Sequence, residues 1–333
     1  MSIFCYLLVG LFDVVVFIVF VIVLGSILYI LIEIMSSNES KNEGKGDDVG
    51  GWENIDFDND IEMGDKIGGG GIGVIYKGWY RDEPVALKTL FDSRIGENLK
   101  KEYMDELLCM SKLKHSNIVK FMGACMKPPN LCFVMEMCEC SLYDVLHVNK
   151  EDISERESVR MLIDVGSAME YLHSMKPAII HRDLKSHNIL RAFDGTLKVC
   201  DFGLVSNKNT QAGTPAYMAP ELFENKSYNK SVDTYAFGVL MWEIFAREIP
   251  HYMVDVADIR DRIVRGNRPR IPSIGIRPRC SDMITRCWHQ QSSERPDFTS
   301  VVDELLEIFD EIPESTHIQN LDQFDALDSL IRK

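Results

Sequence analysis

The run His181-Arg182-Asp183-Leu184-Lys185-Ser186-His187-Asn188, followed downstream by Cys200-Asp201-Phe202-Gly203, decides the fold of this chain. A carboxylate, an ammonium and an amide fall together between two strongly patterned segments. Ahead of them Val159, Leu162, Ile163, Met169 and Leu172 keep the spacing of one buried helix face. Behind them two apolar runs, 189–193 and 196–200, flank Asp194-Gly195, a tight-turn pair, so a hairpin is predicted. With the turn centred between Asp194 and Gly195, Asn188 and Asp201 are equally far from it. Pairing therefore brings both oxygen-bearing side chains to one open end. One carboxylate and one amide carbonyl suit Mg²⁺, which completes its shell with water and phosphate oxygens. Asp183 then lies within reach of an incoming hydroxyl, as a general base must.

Upstream, residues 67–78 read IGGGGIGVIYKG and contain Gly68-x-Gly70-x-x-Gly73. Such a motif opens a dinucleotide-binding unit when a helix follows it directly. Here Val74, Tyr76 and Gly78 alternate with Ile75 and Lys77, and WYRDEP turns the chain into Val85-Ala86-Leu87-Lys88. That pattern is a glycine-tipped hairpin followed by another strand. Glycines let backbone close over phosphates without a side chain in the way; a merely flexible hairpin is the competing reading. The strand changes the balance, because the Lys88 ammonium beneath such a loop calls for an anionic partner. A buried lysine must also be paired, and Glu106 lies on a segment, 99–113, with Leu99, Tyr103, Leu107 and Met110 at helical spacing.

In this order, from Gly68 to Arg295, the motifs resemble those of the eukaryotic protein kinases. The resemblance implies an α+β, bilobal fold: a small β-rich N-lobe with one helix and a larger α-helical C-lobe. It implies ATP and Mg²⁺ as cofactors, with Gly68, Gly70 and Gly73 over the phosphates, Lys88 on the α- and β-phosphates and Glu106 holding Lys88. Asp183 would be the catalytic base, Lys185 the γ-phosphate stabiliser, and Asn188 and Asp201 the metal ligands. Ile67, Ile75, Ala86 and Leu190 would line the adenine site, behind a Met135 gatekeeper and a small back pocket. Backbone hydrogen bonds would come from the hinge at Glu136 and Cys138. By the same resemblance Glu221 pairs with Arg295, and Asp233, near the start of the stretch SVDTYAFGVLMWEIFA, apolar on nearly every face, braces the catalytic loop. Two departures stand out: Ile72 replaces the usual aromatic at the loop tip, and the hinge exit, 138–142, is short.

Lys185 and Thr214 resemble the serine/threonine enzymes. HSNIVKFMGAC and CWHQQSSERPDF are similar to the tyrosine-kinase-like group that includes Raf and the mixed-lineage kinases, which keeps dual specificity open. Protein serine and threonine hydroxyls are the implied substrates. Arg182 is the implied receptor for a phosphate on Thr210 or Ser206, added by an upstream kinase or by trans-autophosphorylation. A pseudokinase scaffold is the alternative, against which the intact Lys88, Asp183, Asn188 and Asp201 speak.

The flanks read differently. Residues 14–32, VVVFIVFVIVLGSILYILI, carry no charge and are long enough for a transmembrane helix. Lys41 and Lys45 follow it, which places the remainder in the cytoplasm by the positive-inside bias. The expected organisation is a membrane anchor over 1–35, a polar stalk over 36–58, a kinase domain over 59–311 and an acidic tail over 312–333. Trp52 marks where apolar patterning resumes. In the tail Leu321, Phe324, Leu327 and Leu330 have helical spacing, as a docking or a packed helix. The formal charge of −15 excludes general nucleic-acid binding. Nine cysteines in no regular framework suit a reduced compartment, with none assigned to a metal.

Overall fold

Alternating burial builds the first sheet. In the computed structural model, which describes residues 52–70, 73–90, 97–127, 130–205 and 212–313, five strands pair antiparallel in the order β1-β2-β3-β5-β4. They are β1 (Ile61–Gly70), β2 (Gly73–Tyr80), β3 (Glu83–Leu90), β4 (Phe121–Cys125) and β5 (Leu131–Glu136). On β3, Val85 and Leu87 pack into an apolar cluster with Tyr80, Cys125, Cys132 and Val134. The pleat sends Ala86 and Lys88 to the opposite face. The β2–β3 turn is tighter than the WYRDEP stretch predicts. Tyr80 already pairs with Glu83, and Arg81 and Asp82 alone turn the chain at φ 51° and 63°, as a two-residue hairpin requires.

Before the sheet lies one helical turn, α1 (Phe57–Asp60), and after β3 comes α2 (Glu97–Met110). The stalk expected over 36–58 therefore stops earlier. The Ile55 N–H donates to the Ala124 carbonyl and the Ala124 N–H to that of Glu53, both at 3.0 Å, and Ile55 is buried. This covers the free edge of β4, whose backbone groups would otherwise lack partners. The expectation of one N-lobe helix is amended by α1.

The C-terminal lobe is helical: α3 (Glu155–Ser174), α4 (Pro220–Phe223), α5 (Ser231–Ala246), α6 (Val256–Val264), α7 (Pro278–Cys287) and α8 (Phe298–Glu311). Every residue of α5 from Val232 to Ile244 is buried, as its all-round apolar sequence demands. At Gly238 a Cβ would lie 2.9 Å from Cys287 Cβ and from the Trp288 backbone nitrogen, so only glycine lets α7 approach so closely. The fold runs one residue past the expected 311 boundary, since Ile312 is buried and its carbonyl, with that of Phe309, accepts from Arg156.

A second sheet, β6 (Cys140–Ser141), β7 (Ile189–Arg191) and β8 (Leu197–Val199), lies antiparallel. Its register corrects the two-residue turn. Ile189 pairs with Val199 and Arg191 with Leu197, and Ala192 N–H donates to Thr196 at 2.9 Å. The loop is thus Phe193-Asp194-Gly195, with Gly195 at φ 85°. Asn188 faces Cys200 rather than Asp201, and the Cys200 N–H donates to the Asn188 carbonyl at 2.9 Å. Among the described residues no helix is long and apolar enough to cross a membrane. Residues 14–32, on which that expectation rests, lie outside them, as do 36–51, Ile72, Ser206, Thr210 and the tail from residue 314.

Candidate active site

Asp233, fully buried in the first turn of α5, organises the polar loop. Its Oδ2 accepts the His181 N–H at 2.9 Å, its Oδ1 the Arg182 N–H at 2.8 Å, and His173 Nε2 lies 2.8 Å from Oδ2. Backbone amides that would be orphaned inside the lobe are thereby satisfied. Arg182 takes φ 69°, a left-handed turn held by those bonds. Its guanidinium is buried, donating to the Leu204 carbonyl at 3.3 Å and lying 5.1 Å from the centre of the Tyr228 ring.

Asp183 is gripped on both oxygens. Oδ1 accepts from the Thr214 N–H at 3.0 Å and its hydroxyl at 2.8 Å, while Oδ2 accepts from Lys185 Nζ at 2.7 Å and Asn188 Nδ2 at 3.0 Å. Lys185 Nζ also donates to Thr214 Oγ1 at 2.7 Å. A carboxylate with four donors is fixed in orientation, and one donor must yield when a hydroxyl approaches. Lys185 and Thr214, paired only by resemblance in the sequence, meet through this carboxylate.

Across the cleft the Lys88 ammonium lies 2.5 Å from Glu106 Oε1 and 3.7 Å from Asp201 Oδ1. The Tyr103 hydroxyl donates to the Lys88 carbonyl at 3.1 Å, and its ring stacks on Phe133 at 4.1 Å between centroids, fixing α2 against β3 and β5. Burial works against the Lys88 charge, but Glu106 and then Asp201 outweigh it and its pKa is raised. Burial lifts the Glu106 carboxyl, and Lys88 recovers only part of that rise. Burial also lifts Asp201, yet Lys88, His181 and the Gly203 N–H hold it below the ordinary aspartate value. The asymmetry is physical, since one ammonium serves two carboxylates. The cluster carries a net negative charge and suits a further cation.

The donor set fits Mg²⁺. Asn188 Nδ2 is committed to the Asp183 carbonyl at 2.8 Å and to Asp183 Oδ2, so the amide oxygen is turned the other way. Asp201 takes φ 65°, which swings its carboxylate towards Lys88. A hard oxygen pair at the end of the β7–β8 hairpin results.

The glycine strand pairs Gly68 with Ile75 and Gly70 with Gly73, so the glycines sit at the tip of the β1–β2 hairpin. Ile67 is exposed; Ile75, Ala86 and Leu190 are half-buried. Ala86 pairs with Met135, which is buried. At the hinge the Glu136 N–H already donates to Lys120 at 3.0 Å, and its carboxylate accepts the Lys120 N–H at 2.6 Å and meets Lys198 Nζ at 3.0 Å. Cys138 is buried. Burial pushes the Cys200 thiol well up, so it is not a nucleophile near neutral pH.

One group of the site escaped the sequence reading. Glu243, fully buried near the end of α5, accepts from the Ser186 hydroxyl on Oε1 and the Tyr217 hydroxyl on Oε2, each at 2.7 Å, with His147 Nε2 2.9 Å from Oε1. It ties the catalytic loop, the segment after Thr214 and the turn at Asp144–Val148 together. A second acidic residue, after Asp233, in a largely apolar helix was the available signal. Glu243→Gln puts an N–H against one of these donors and is expected to cost about 1–3 kcal/mol. A fall in the urea midpoint with unchanged slope checks this.

Two lobes, a glycine-tipped hairpin, a lysine–glutamate pair and a gripped aspartate together define the architecture of a protein kinase domain. The chain belongs to the protein tyrosine and serine/threonine kinase family, whose sequence profile matches residues 61–305. It is 37% identical over 262 residues to serine/threonine-protein kinase STY46 of Arabidopsis thaliana, covering 76% of this chain and 45% of that protein. It is 32% identical over 269 residues to serine/threonine-protein kinase STY17 of the same plant, covering 78% and 46%. The chain thus spans less than half the length of these relatives.

Proposed function

We propose that this chain is an ATP-dependent serine/threonine protein kinase of the tyrosine-kinase-like group. The observation that carries the reading is the Lys88 ammonium held between Glu106 and Asp201, across from an Asp183 carboxylate oriented by Lys185 and Thr214. Gly68, Gly70 and Gly73 cover the phosphates, and Lys88 takes the α- and β-oxygens. The adenine lies among Ile67, Ile75, Ala86 and Leu190, bonded to the Glu136 carbonyl and the Cys138 N–H. Asn188 and Asp201 would hold Mg²⁺, which supplies charge neutralisation on the phosphate oxygens.

Asp183 accepts the proton of the substrate hydroxyl as its oxygen bonds to the γ-phosphorus, and the bond from that phosphorus to the β–γ bridging oxygen breaks to release ADP. Lys185, already within 2.7 Å of Asp183 Oδ2, is placed to follow the charge onto the transferred group. Thr214 beside the base supports a Ser/Thr acceptor. Residues 14–32 support tethering to a membrane with the kinase on the cytoplasmic side. Buried Arg182 supports ordering of the loop by phosphate on Thr210 or Ser206.

The test is transfer of label from γ-labelled ATP to a generic protein substrate, followed by phosphoamino-acid analysis. Phosphoserine and phosphothreonine are expected, and Lys88→Met should lower the rate by about 10²–10³-fold. Label that persists undiminished in Lys88→Met, or that is confined to tyrosine, would defeat the assignment.

A further inference from the structure

A groove of about 1020 Å³ opens on the C-terminal lobe, away from the catalytic residues, between the end of α5, the 248–254 loop, α6 and the 267–274 loop. Trp242, Phe245, Ile249 and Ile271 form the apolar part of a lining that also carries charged and polar groups. Tyr252 and Ile274, on its lining, are 68% and 87% exposed, and Met253 and Val256 beside it are 88% and 63% exposed. Adjacent large apolar side chains left this open mark a surface built to be covered.

The lining also carries three arginines, Arg262, Arg268 and Arg270, against one carboxylate, Glu248. Arg262 and Arg270 are exposed and have no ion-pair partner among the described residues, whereas Arg268 is spent on the Trp288 carbonyl and Gln290. Burial, and after it Arg262 and Arg268, hold the His251 pKa down. His251 and Met253 stand at φ 56° and 61°, a conformation that non-glycine residues adopt only at a cost.

A fitting occupant lies in this same chain. Beyond the described residues the tail carries Leu321, Phe324, Leu327, Leu330 and Ile331, with Asp322, Asp325 and Asp328 interleaved. At helical spacing the apolar residues would span about half the circumference, with Asp322 and Asp325 on the adjoining arc and Asp328 between Phe324 and Leu321. The tail also starts in the right place. Glu311, near its root, is bonded to Arg279 at 2.6 Å, and Arg279 follows Ile274 on the groove rim by a few residues. The chain between Pro313 and Leu321 can span roughly 25 Å when extended.

We propose that residues 321–331 dock in cis into this groove, Phe324 and Leu327 against the apolar part of its lining and Asp325 and Asp328 towards Arg262 and Arg270. The test is hydrogen–deuterium exchange on the full chain in detergent, comparing it with Phe324→Asp/Leu327→Asp and with Arg262→Glu/Arg270→Glu. Both variants are expected to speed exchange of the 248–256 and 268–276 segments by about tenfold, the ratio a bound-to-free equilibrium of that size gives. Exchange in α5 should stay unchanged, showing the lobe intact. Adding Asp325→Lys/Asp328→Lys to the arginine variant should restore protection. Unchanged exchange in both variants overturns the proposal. Protection that grows with protein concentration also overturns it, by assigning the groove to the tail of a second copy.

Discussion

Asp183→Asn is expected to lower kcat for phosphate transfer by about 10²–10⁴-fold, the range a positioned general base supplies, while the Kd for ATP stays within about threefold. The geometry sets both halves of that expectation. Asp183 touches Lys185, Asn188 and Thr214 but not Lys88 or the glycine strand, so its loss should leave nucleotide affinity in place. An asparagine of the same shape cannot take up the proton. It also turns an N–H towards either the Thr214 pair or the Lys185 and Asn188 donors, so the loop loses its fixed orientation as well as its base. Steady-state turnover with nucleotide binding measured separately decides the matter. Unchanged kcat would remove Asp183 from the chemistry.

The second large effect is on stability. Arg295, between α7 and α8, has a fully buried side chain and makes a bidentate pair with Glu221 at 2.6 and 2.9 Å. It also donates to the carbonyls of His289 at 2.8 Å and Ser231 at 3.1 Å, and lies 5.1 Å from the centre of the Tyr235 ring. Removing one partner strands a desolvated charge. Arg295→Ala should therefore cost about 3–5 kcal/mol, lowering Tm by roughly 10–15 °C for a domain of this size. Such a pair is worth much less than this against an apolar substitute, so the double variant Arg295→Met/Glu221→Leu should recover much of the loss. A calorimetric scan of the three proteins checks it, and a drop below about 1 kcal/mol for Arg295→Ala would show the pair to be solvated.

Much of this was legible in the sequence because burial leaves a period. The alternation through β2 and β3, the apolar stripe of α3 and the all-round apolar α5 each appear as the elements they were expected to be. Lys88 and Glu106, matched only by the need of a buried ammonium for a partner, meet at 2.5 Å. The misreadings share one cause. Asp194-Gly195 signalled a turn but not its length. The third loop residue, Phe193, moves the register so that Asn188 faces Cys200. The stalk was read too long because carboxylates surround Ile55 and Phe57 over 53–58, and only the pairing of Glu53 and Ile55 with β4 shows where the fold begins.

The sequence by itself therefore determined the order of elements, the residue types gathered for the chemistry and the family to which they belong, since these follow from local periods and motifs. Tertiary structure alone decided which donors each buried carboxylate receives: four on Asp183, two backbone amides and a histidine on Asp233, and three side chains from separate segments on Glu243. Those meetings depend on left-handed turns at Arg182 and Asp201 and on how closely α5 packs against its neighbours. Neither leaves a repeat along the chain, because a single backbone angle or helix contact redirects a side chain without changing the hydrophobic pattern around it.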